Sequence, residues 1–203
     1  MLKITNKECS ICSEPAKFSF FFLFLITAVL YSPKATAQGD LPDKKSGQLL
    51  LNNFSKDVNS IVYWQRVYET TLSKTELIDL IIESGYFDEI DMTEEKLVCR
   101  LRPYEINIGY HGYSLMDVSA YITRSIITGT VVFDFKPQRY RATVKNICFI
   151  NNTEDYLGQI SSLETQILTK RQDVRMPFFR VESELLDKDF TTKTSFIKLT
   201  EDW

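Results

Sequence analysis

The densest run of β-branched and aromatic residues in the chain lies between Ile126 and Ile150, and Lys136-Pro137-Gln138 breaks it once. That pattern predicts two long antiparallel strands joined by a short turn. In the first, Val131, Phe133 and Phe135 share a face opposite Thr130, Val132 and Asp134. In the second, Tyr140, Ala142, Val144 and Cys148 oppose Arg139, Arg141, Thr143 and Lys145, so one side is apolar and the other basic. A sheet with one packed and one wet face is the antiparallel habit, and helices are needed to cover the apolar side.

Upstream, Ile61 to Tyr68 alternates with large apolar groups on both sides and reads as a strand. Ser73-Lys74-Thr75-Glu76 has the form of a capping box, predicting a helix from Lys74 to Ser84 with Leu77, Ile78, Ile81 and Ile82 on its buried stripe. Gly85 is placed to end it in the left-handed conformation. Tyr86 to Met92 reads as an acidic connector, and Glu95 to Ile108 as extended, with Pro103 marking an edge position or a bulge. Ser114 to Ser125 fits either an irregular strand or one helical turn. Asn151-Asn152-Thr153 reads as the cap of a helix from about Glu154 to Thr169, on the spacing of Tyr156, Ile160, Leu163, Ile167 and Leu168. After Pro177, Phe178 to Lys188 fits a further short helix, and the last fifteen residues a loose strand or tail. The predicted class is α+β: a twisted, mainly antiparallel sheet of four to five strands with two helices packed on one face.

The start of the chain follows a different pattern. Lys3, Lys7 and Lys17 precede a nearly unbroken apolar run from Phe18 to Tyr31; Ser32-Pro33-Lys34 ends it, and Ala35-Thr36-Ala37 has the small-x-small spacing of a cleavage site. This is the layout of a secretory signal peptide, residues 1–37, with an uncleaved anchor as the alternative. A helix of 14 residues rises roughly 21 Å, short of a hydrocarbon core of about 30 Å, which favours cleavage near Ala37 and no membrane span afterwards. Residues 38–58 are polar and read as a flexible lead-in, 59–152 as the α+β core, and 153–203 as a C-terminal helix and tail packing on it. The expected compartment is the periplasm or cell envelope.

Export changes the charge and the cysteine count. The whole chain carries 24 Lys and Arg against 27 Asp and Glu. Without residues 1–37 it carries 20 against 25, with mixed signs, a balance that argues against nucleic-acid binding. Cys9 and Cys12 leave with the leader. Cys99 and Cys148 remain, either as buried thiols or, if their strands are neighbours, as a pair.

Few residues suggest chemistry. His111 sits in Gly109-Tyr110-His111-Gly112-Tyr113 as the single histidine. It lacks a G-x-S-x-G partner motif for a triad and enough His or Cys for a zinc site, so it reads as a loop histidine. Asp88, Glu89, Asp91, Glu94 and Glu95 are the densest acidic cluster, but without the D-x-[DN]-x-[DN]-G loop they read as a solvated connector rather than a calcium site or a glycosidase pair. Tyr63, Trp64, Tyr68, Tyr104, Tyr110 and Tyr113 suit core packing as well as stacking on sugars or peptides. Arg139, Arg141 and Lys145 repeat on one strand face, with Arg100 and Arg102 on another strand. If those strands align, the five make a basic ribbon able to hold an anionic polymer or an acidic partner. The alternative is a wet sheet face paired with Asp and Glu.

The R-Y-R-A-T-V-K-N-I stretch from Arg139 to Ile147, with Val67-Tyr68 leading into Lys74 to Ser84 and with Phe133-Asp134-Phe135-Lys136, resembles a family of exported Bacteroidetes proteins. That family is known as a domain of unknown function with a TBP-like fold. The resemblance covers roughly Ile61 to Ile150, with Pro137-Gln138 in the turn where members more often carry Asp-Gly. It implies the fold and the exported compartment; it implies no activity, and a TBP-like fold does not imply DNA binding. The function expected from all of this is a non-enzymatic binding or interaction module of the cell envelope, its partner an envelope protein or polymer. No catalytic, cofactor or metal residue is assigned. The alternative is a small hydrolase acting on envelope polymers, which requires His111 and an acidic side chain to converge in a cleft.

Overall fold

The structure, a computed structural model, describes residues 48–153 and 157–196. The leader, and with it Cys9 and Cys12, lies outside the described residues. The predicted hairpin is the centre of the fold. Strand β6 (Ser125–Lys136) pairs antiparallel with β7 (Arg139–Asn151) from Ser125↔Asn151 to Lys136↔Arg139. Pro137 fixes one turn position, and Gln138 takes a positive φ of 59° at the next. Near the far end the register shifts. Asn146, at φ 51°, takes up the extra residue opposite Gly129, where an added Cβ would lie 3.1 Å from the Lys145 carbonyl oxygen.

Around this pair the sheet is wider than the sequence predicts. Among the described residues it is antiparallel and eight-stranded, not four- to five-stranded, in the order β1-β2-β3-β7-β6-β5-β4, with β8 pairing β7 beyond the end of β3. The extra strands are short or lie at the edges. Strands β1 (Gln48–Leu51) and β2 (Phe54–Lys56) fall where a flexible lead-in is expected. Phe54 anchors them: fully buried, it stands edge-on to Phe178 at 5.2 Å. Strand β4 (Phe87–Met92) replaces the expected acidic connector; only Phe87 of it is buried, so its sequence carries no alternation. Strand β3 (Val62–Glu69) lies inside the sheet, and so does β5 (Lys96–Tyr104). Pro103 sits in the register shift between Leu101 and Tyr104, at a bulge rather than an edge.

Helix α1 (Lys74–Glu83) begins with the predicted capping box, the Ser73 hydroxyl accepting from the Glu76 amide and the Glu76 carboxylate from the Ser73 amide, and Gly85 follows its end at φ 69°. Helix α2 is a single turn, Ala120–Thr123. The long helix expected from Glu154 to Thr169 is not present in the described part. Residues 154–156 lie outside it, β8 (Ile160–Ser162) is a strand, and α3 (Leu163–Ile167) starts on the Ser162 hydroxyl. Asn151 Oδ1 accepts from the amide and hydroxyl of Thr153 in a local turn instead of capping a helix. The last helix is longer than predicted: a π-helical turn, Phe178–Glu182, runs directly into α4 (Ser183–Thr194).

Cα partners in an antiparallel ladder share a face, so the register sorts the core. Trp64, Val144, Val131 and Cys99 line up across β3, β7, β6 and β5, and all are buried. Helix α4 lies over this inner face along β3. Trp64 Nε1 donates to Asp187 at 2.7 Å, Arg66 Nη1 to Thr191 at 2.8 Å, and the Tyr68 hydroxyl meets Thr194 at 2.8 Å. Helix α1 sits at the hairpin end, where Lys74 Nζ stands 5.7 Å from the Phe135 ring centroid and Leu77 and Ile81 enter the core. Cys99 and Cys148 fall on opposite faces of the sheet, Cys99 among the buried residues. Burial pushes the Cys99 thiol up to about 12, with the Asp88 charge adding to the effect.

Tyr140 gives the core a pH dependence. Its hydroxyl donates to the Thr194 carbonyl and accepts from the Phe196 amide, each at 2.9 Å, and burial raises its pKa from 10.0 to about 12. Above pH 10 the unfolded chain releases a proton that the folded chain keeps, so stability present below that pH is lost as pH rises toward 12. Urea midpoints are expected to fall between about pH 10 and about pH 12, less steeply in Tyr140→Phe; a midpoint flat across that window contradicts the burial.

Candidate functional site

The face of the sheet that no described helix covers carries the five basic residues singled out from the sequence. Arg100, Thr130 and Lys145 form one row across β5, β6 and β7. Lys96, Asp134, Arg141 and Val67 form another, extending to β3, and Lys136, Arg139 and Glu69 a third. Arg102 follows Arg100 on the same side of β5. Between the outer rows runs a mostly uncharged strip, Val98, Val132, Thr143 and Gln65, where Gln65 Nε2 donates to Thr143 Oγ1 at 3.0 Å. Arg100, Arg102, Arg139, Arg141 and Lys145 are all exposed.

The two halves of the face are balanced differently. Asp134 accepts from Arg141 Nε and Nη2 at 3.1 and 2.9 Å, and Lys96 approaches it at 3.5 Å; Arg100 pairs with Glu89 at 3.0 Å. None of the ion pairs among the described residues uses Arg102, Arg139 or Lys145. Exposed pairs of this kind contribute little to folding, on the order of 0–1 kcal/mol. Acidic residues also stand on this face in register with the cations, Asp88 opposite Arg100 and Glu69 opposite Arg139.

A second cluster forms beneath the helix. His111 Nε2 donates to Asp189 Oδ1 at 3.3 Å, Lys193 Nζ to the same oxygen at 2.7 Å, and the Tyr104 hydroxyl to Oδ2. Lys193 Nζ also lies 3.9 Å from the centroid of the Tyr104 ring. Burial, and after it the Asp189 charge, holds the Tyr104 phenol well above its ordinary range. His111 is thus not an idle loop residue: it ties the segment after β5 to α4, seconded by Lys188 Nζ donating to the Tyr113 hydroxyl at 3.1 Å. The side chains of His111, Asp189 and Lys193 are only 7%, 3% and 13% exposed, so the convergence expected of a hydrolase occurs inside the protein and not in a cleft.

Two further features escaped the sequence reading. Glu182 is buried and accepts from the Tyr121 hydroxyl at 2.6 Å through Oε2, while its Oε1 has no hydrogen-bond partner among the described residues. Beside it, Asp117 and four residues around the π-helical turn line a cleft of about 400 Å³. The signals available were weak ones, a Pro before an apolar run and a carboxylate inside it; the partners lie too far off in sequence to suggest themselves.

No protein-family profile matches this chain, and no curated protein matches it. Two solved structures are similar to it. A TBP-like protein from Parabacteroides distasonis ATCC 8503 is 11% identical, with a TM-score of 0.39, over 63% of this chain and 81% of that one. A DUF4468 family protein from Bacteroides ovatus ATCC 8483 is 12% identical, with a TM-score of 0.42, over 70% of this chain and 91% of that one.

Proposed function

We propose that the protein is a non-enzymatic binding module of the bacterial cell envelope that holds an anionic partner on its open sheet face. The observation that carries this reading is the strand register. It sets Arg100, Arg102, Arg139, Arg141 and Lys145 on one exposed surface of a chain that is acidic as a whole. Rows of opposite-facing pairs recur every two residues along a strand, roughly 6.8 Å apart, so the face offers cations at spacings an extended polyanion can follow. The apolar and hydroxyl strip between the rows gives such a partner something to lie against. The leader-like segment ending at Ala37 supports a site of action outside the cytoplasm, and among the described residues no helix is long and apolar enough to cross a membrane.

The alternative, a small hydrolase acting on envelope polymers, draws support from the approach of His111 to Asp189 alone. That carboxylate already accepts from Tyr104, Lys193 and His111, which leaves it as an anchor and not as a base waiting for substrate.

The test is retention of envelope extract on the chain from Gln38 onward, compared with Arg139→Ala/Lys145→Ala. Both side chains are exposed and outside the ion pairs of the described residues, so the double variant is expected to melt with the parent, within about 0.5 kcal/mol. It is expected to lose the components that the parent releases with rising salt. Unchanged retention of every component would remove the basic-face reading.

A further inference from the structure

We infer that the surface where the loop before α2 meets the segment entering the π-helical turn rests on an anionic lipid bilayer. Two chemistries meet there. Leu115 and Met116 are 66% and 94% exposed, and Met176 and Phe179 are 60% and 39% exposed. Thr169 to Val181 holds four basic residues, Lys170, Arg171, Arg175 and Arg180, and one acidic residue, Asp173, in a chain that is acidic as a whole. All four cations are exposed, and none takes part in an ion pair among the described residues. With Asp117 counted as well, four cations face two anions, so the surface keeps a positive surplus.

Three ties set the two segments side by side. Asp117, next in sequence to Met116, lines one cleft with Met176, Pro177 and Arg180. The Tyr121 hydroxyl donates to Glu182 at 2.6 Å. Arg175 acts on that same phenol: burial, and after it the Glu182 charge, raises the Tyr121 pKa, and the Arg175 charge opposes them. The basic turn is itself closed. Leu168 and Val174 bridge, the Thr169 amide donates to the Asp173 carbonyl at 2.8 Å, and the Arg175 amide to the Ile167 carbonyl at 2.8 Å. Lys170 and Arg171 therefore stand at the tip of a fixed turn, and Arg175 on its returning arm.

A bilayer is the partner that uses both chemistries. Single exposed apolar residues are ordinary on a protein surface. Here they stand beside unpaired cations, the pairing of an interfacial surface: apolar tips enter the acyl boundary while Lys and Arg reach the headgroup phosphates. A folded acidic partner would have to supply a shaped recess for Met116, which this chain leaves almost wholly uncovered. A fluid bilayer needs no such recess. The inference does not rest on the sheet-face reading, since it uses none of the sheet's cations.

The experiment is vesicle flotation of the chain from Gln38 onward, which contains every described element and lacks the apolar run of the leader. Vesicles of phosphatidylcholine with about 30% phosphatidylglycerol are expected to bind it at least about tenfold more tightly than phosphatidylcholine alone, and less tightly as salt rises. Arg175→Ala/Arg180→Ala is expected to weaken binding about twenty-five-fold, roughly fivefold for each cation at an anionic surface. Leu115→Ser/Met116→Ser is expected to weaken it at least about tenfold with every cation in place. Both pairs are exposed, and melting curves matching the parent separate loss of binding from loss of fold; the two pairs lie on different segments, so either one alone keeps the test decisive. Glycerol phosphate at roughly 10 mM is expected to leave the protein on the vesicles, because it offers no apolar layer; release by it overturns the bilayer in favour of a soluble anion. Failure to float with anionic vesicles, or equal flotation with neutral ones, overturns the proposal. The sheet-face variant Arg139→Ala/Lys145→Ala is expected to float as the parent does. Binding lost in that variant and kept in Arg175→Ala/Arg180→Ala overturns the proposal and leaves the sheet-face reading standing.

Discussion

Asp189→Ala is expected to cost about 3–5 kcal/mol of folding stability, the usual consequence of removing one partner from a buried charge pair. Its carboxylate is 3% exposed and serves three donors, Lys193, His111 and Tyr104. With it gone, the Lys193 ammonium, 13% exposed, keeps only the faces of Tyr104 and Tyr86, at 3.9 and 5.8 Å. A cation over an aromatic ring recovers roughly 0.5–2 kcal/mol, less than the desolvation it must offset. In urea, with a slope of about 2 kcal/mol per molar, the midpoint is expected to drop by about 2 M. The double variant Asp189→Ala/Lys193→Met is expected to regain much of the loss, since no charge is then left stranded. Amide exchange in the segment 105–119 should quicken in the single variant, because His111 loses its anchor. A cost below about 1 kcal/mol would show that water reaches this pair and that the cluster is a surface feature.

That cluster also marks where sequence reasoning ended. Features whose partners lie within a few residues were legible: the Ser73–Glu76 box, the stop at Gly85, the turn at Pro137-Gln138 and the two-sided strand that follows it. In each the physical cause is local, a cap, a φ angle or an alternation. His111 and Asp189 are 78 positions apart, and nothing near either one points to the other. The basic face lay between these cases. Alternation placed Arg139, Arg141 and Lys145 together, but only the ladder from β5 to β7 could show that Arg100 shares their side. The missed strands were those with too little burial to write a pattern. Strand β2 has one fully buried side chain in three residues, and β4 one in six. The false helix came from the opposite error. Ile160, Leu163 and Ile167 fit a helical period, but Ile160 belongs to a strand and is 42% exposed, and the helix proper starts only after Ser162. Apolar spacing over a short window does not distinguish one long helix from a strand followed by a short one.

Trp64→Ala is the other change with a large expected effect, again about 3–5 kcal/mol, from loss of transfer free energy and the cavity left behind. The indole has no exposed surface, stands 5.7 Å from the Phe190 ring, and starts the row that runs through Val144 and Val131 to Cys99. It therefore ties helix α4 to the sheet at the point where β2 also joins, through Phe54 and its contact with Phe190 at 6.3 Å. Trp64→Phe separates the two things the side chain does. It keeps most of the ring volume but removes the N–H that donates to Asp187. Asp187 retains the Asn53 amide at 2.8 Å, so the cost of that bond alone is expected to be about 1–2 kcal/mol. Chemical denaturation of both variants measures the difference. Loss of the bond dominating would give nearly equal values, whereas the packing argument requires alanine to be worse by at least about 1.5 kcal/mol. The comparison also bears on the proposed binding face. Strand β3 carries Gln65 and Val67 on the open side and Trp64 on the covered side, so loosening α4 from Trp64 is expected to disturb the register that aligns the open face. Salt-sensitive retention by the sheet face should weaken in Trp64→Ala, where no basic residue has been touched, and persist in Trp64→Phe.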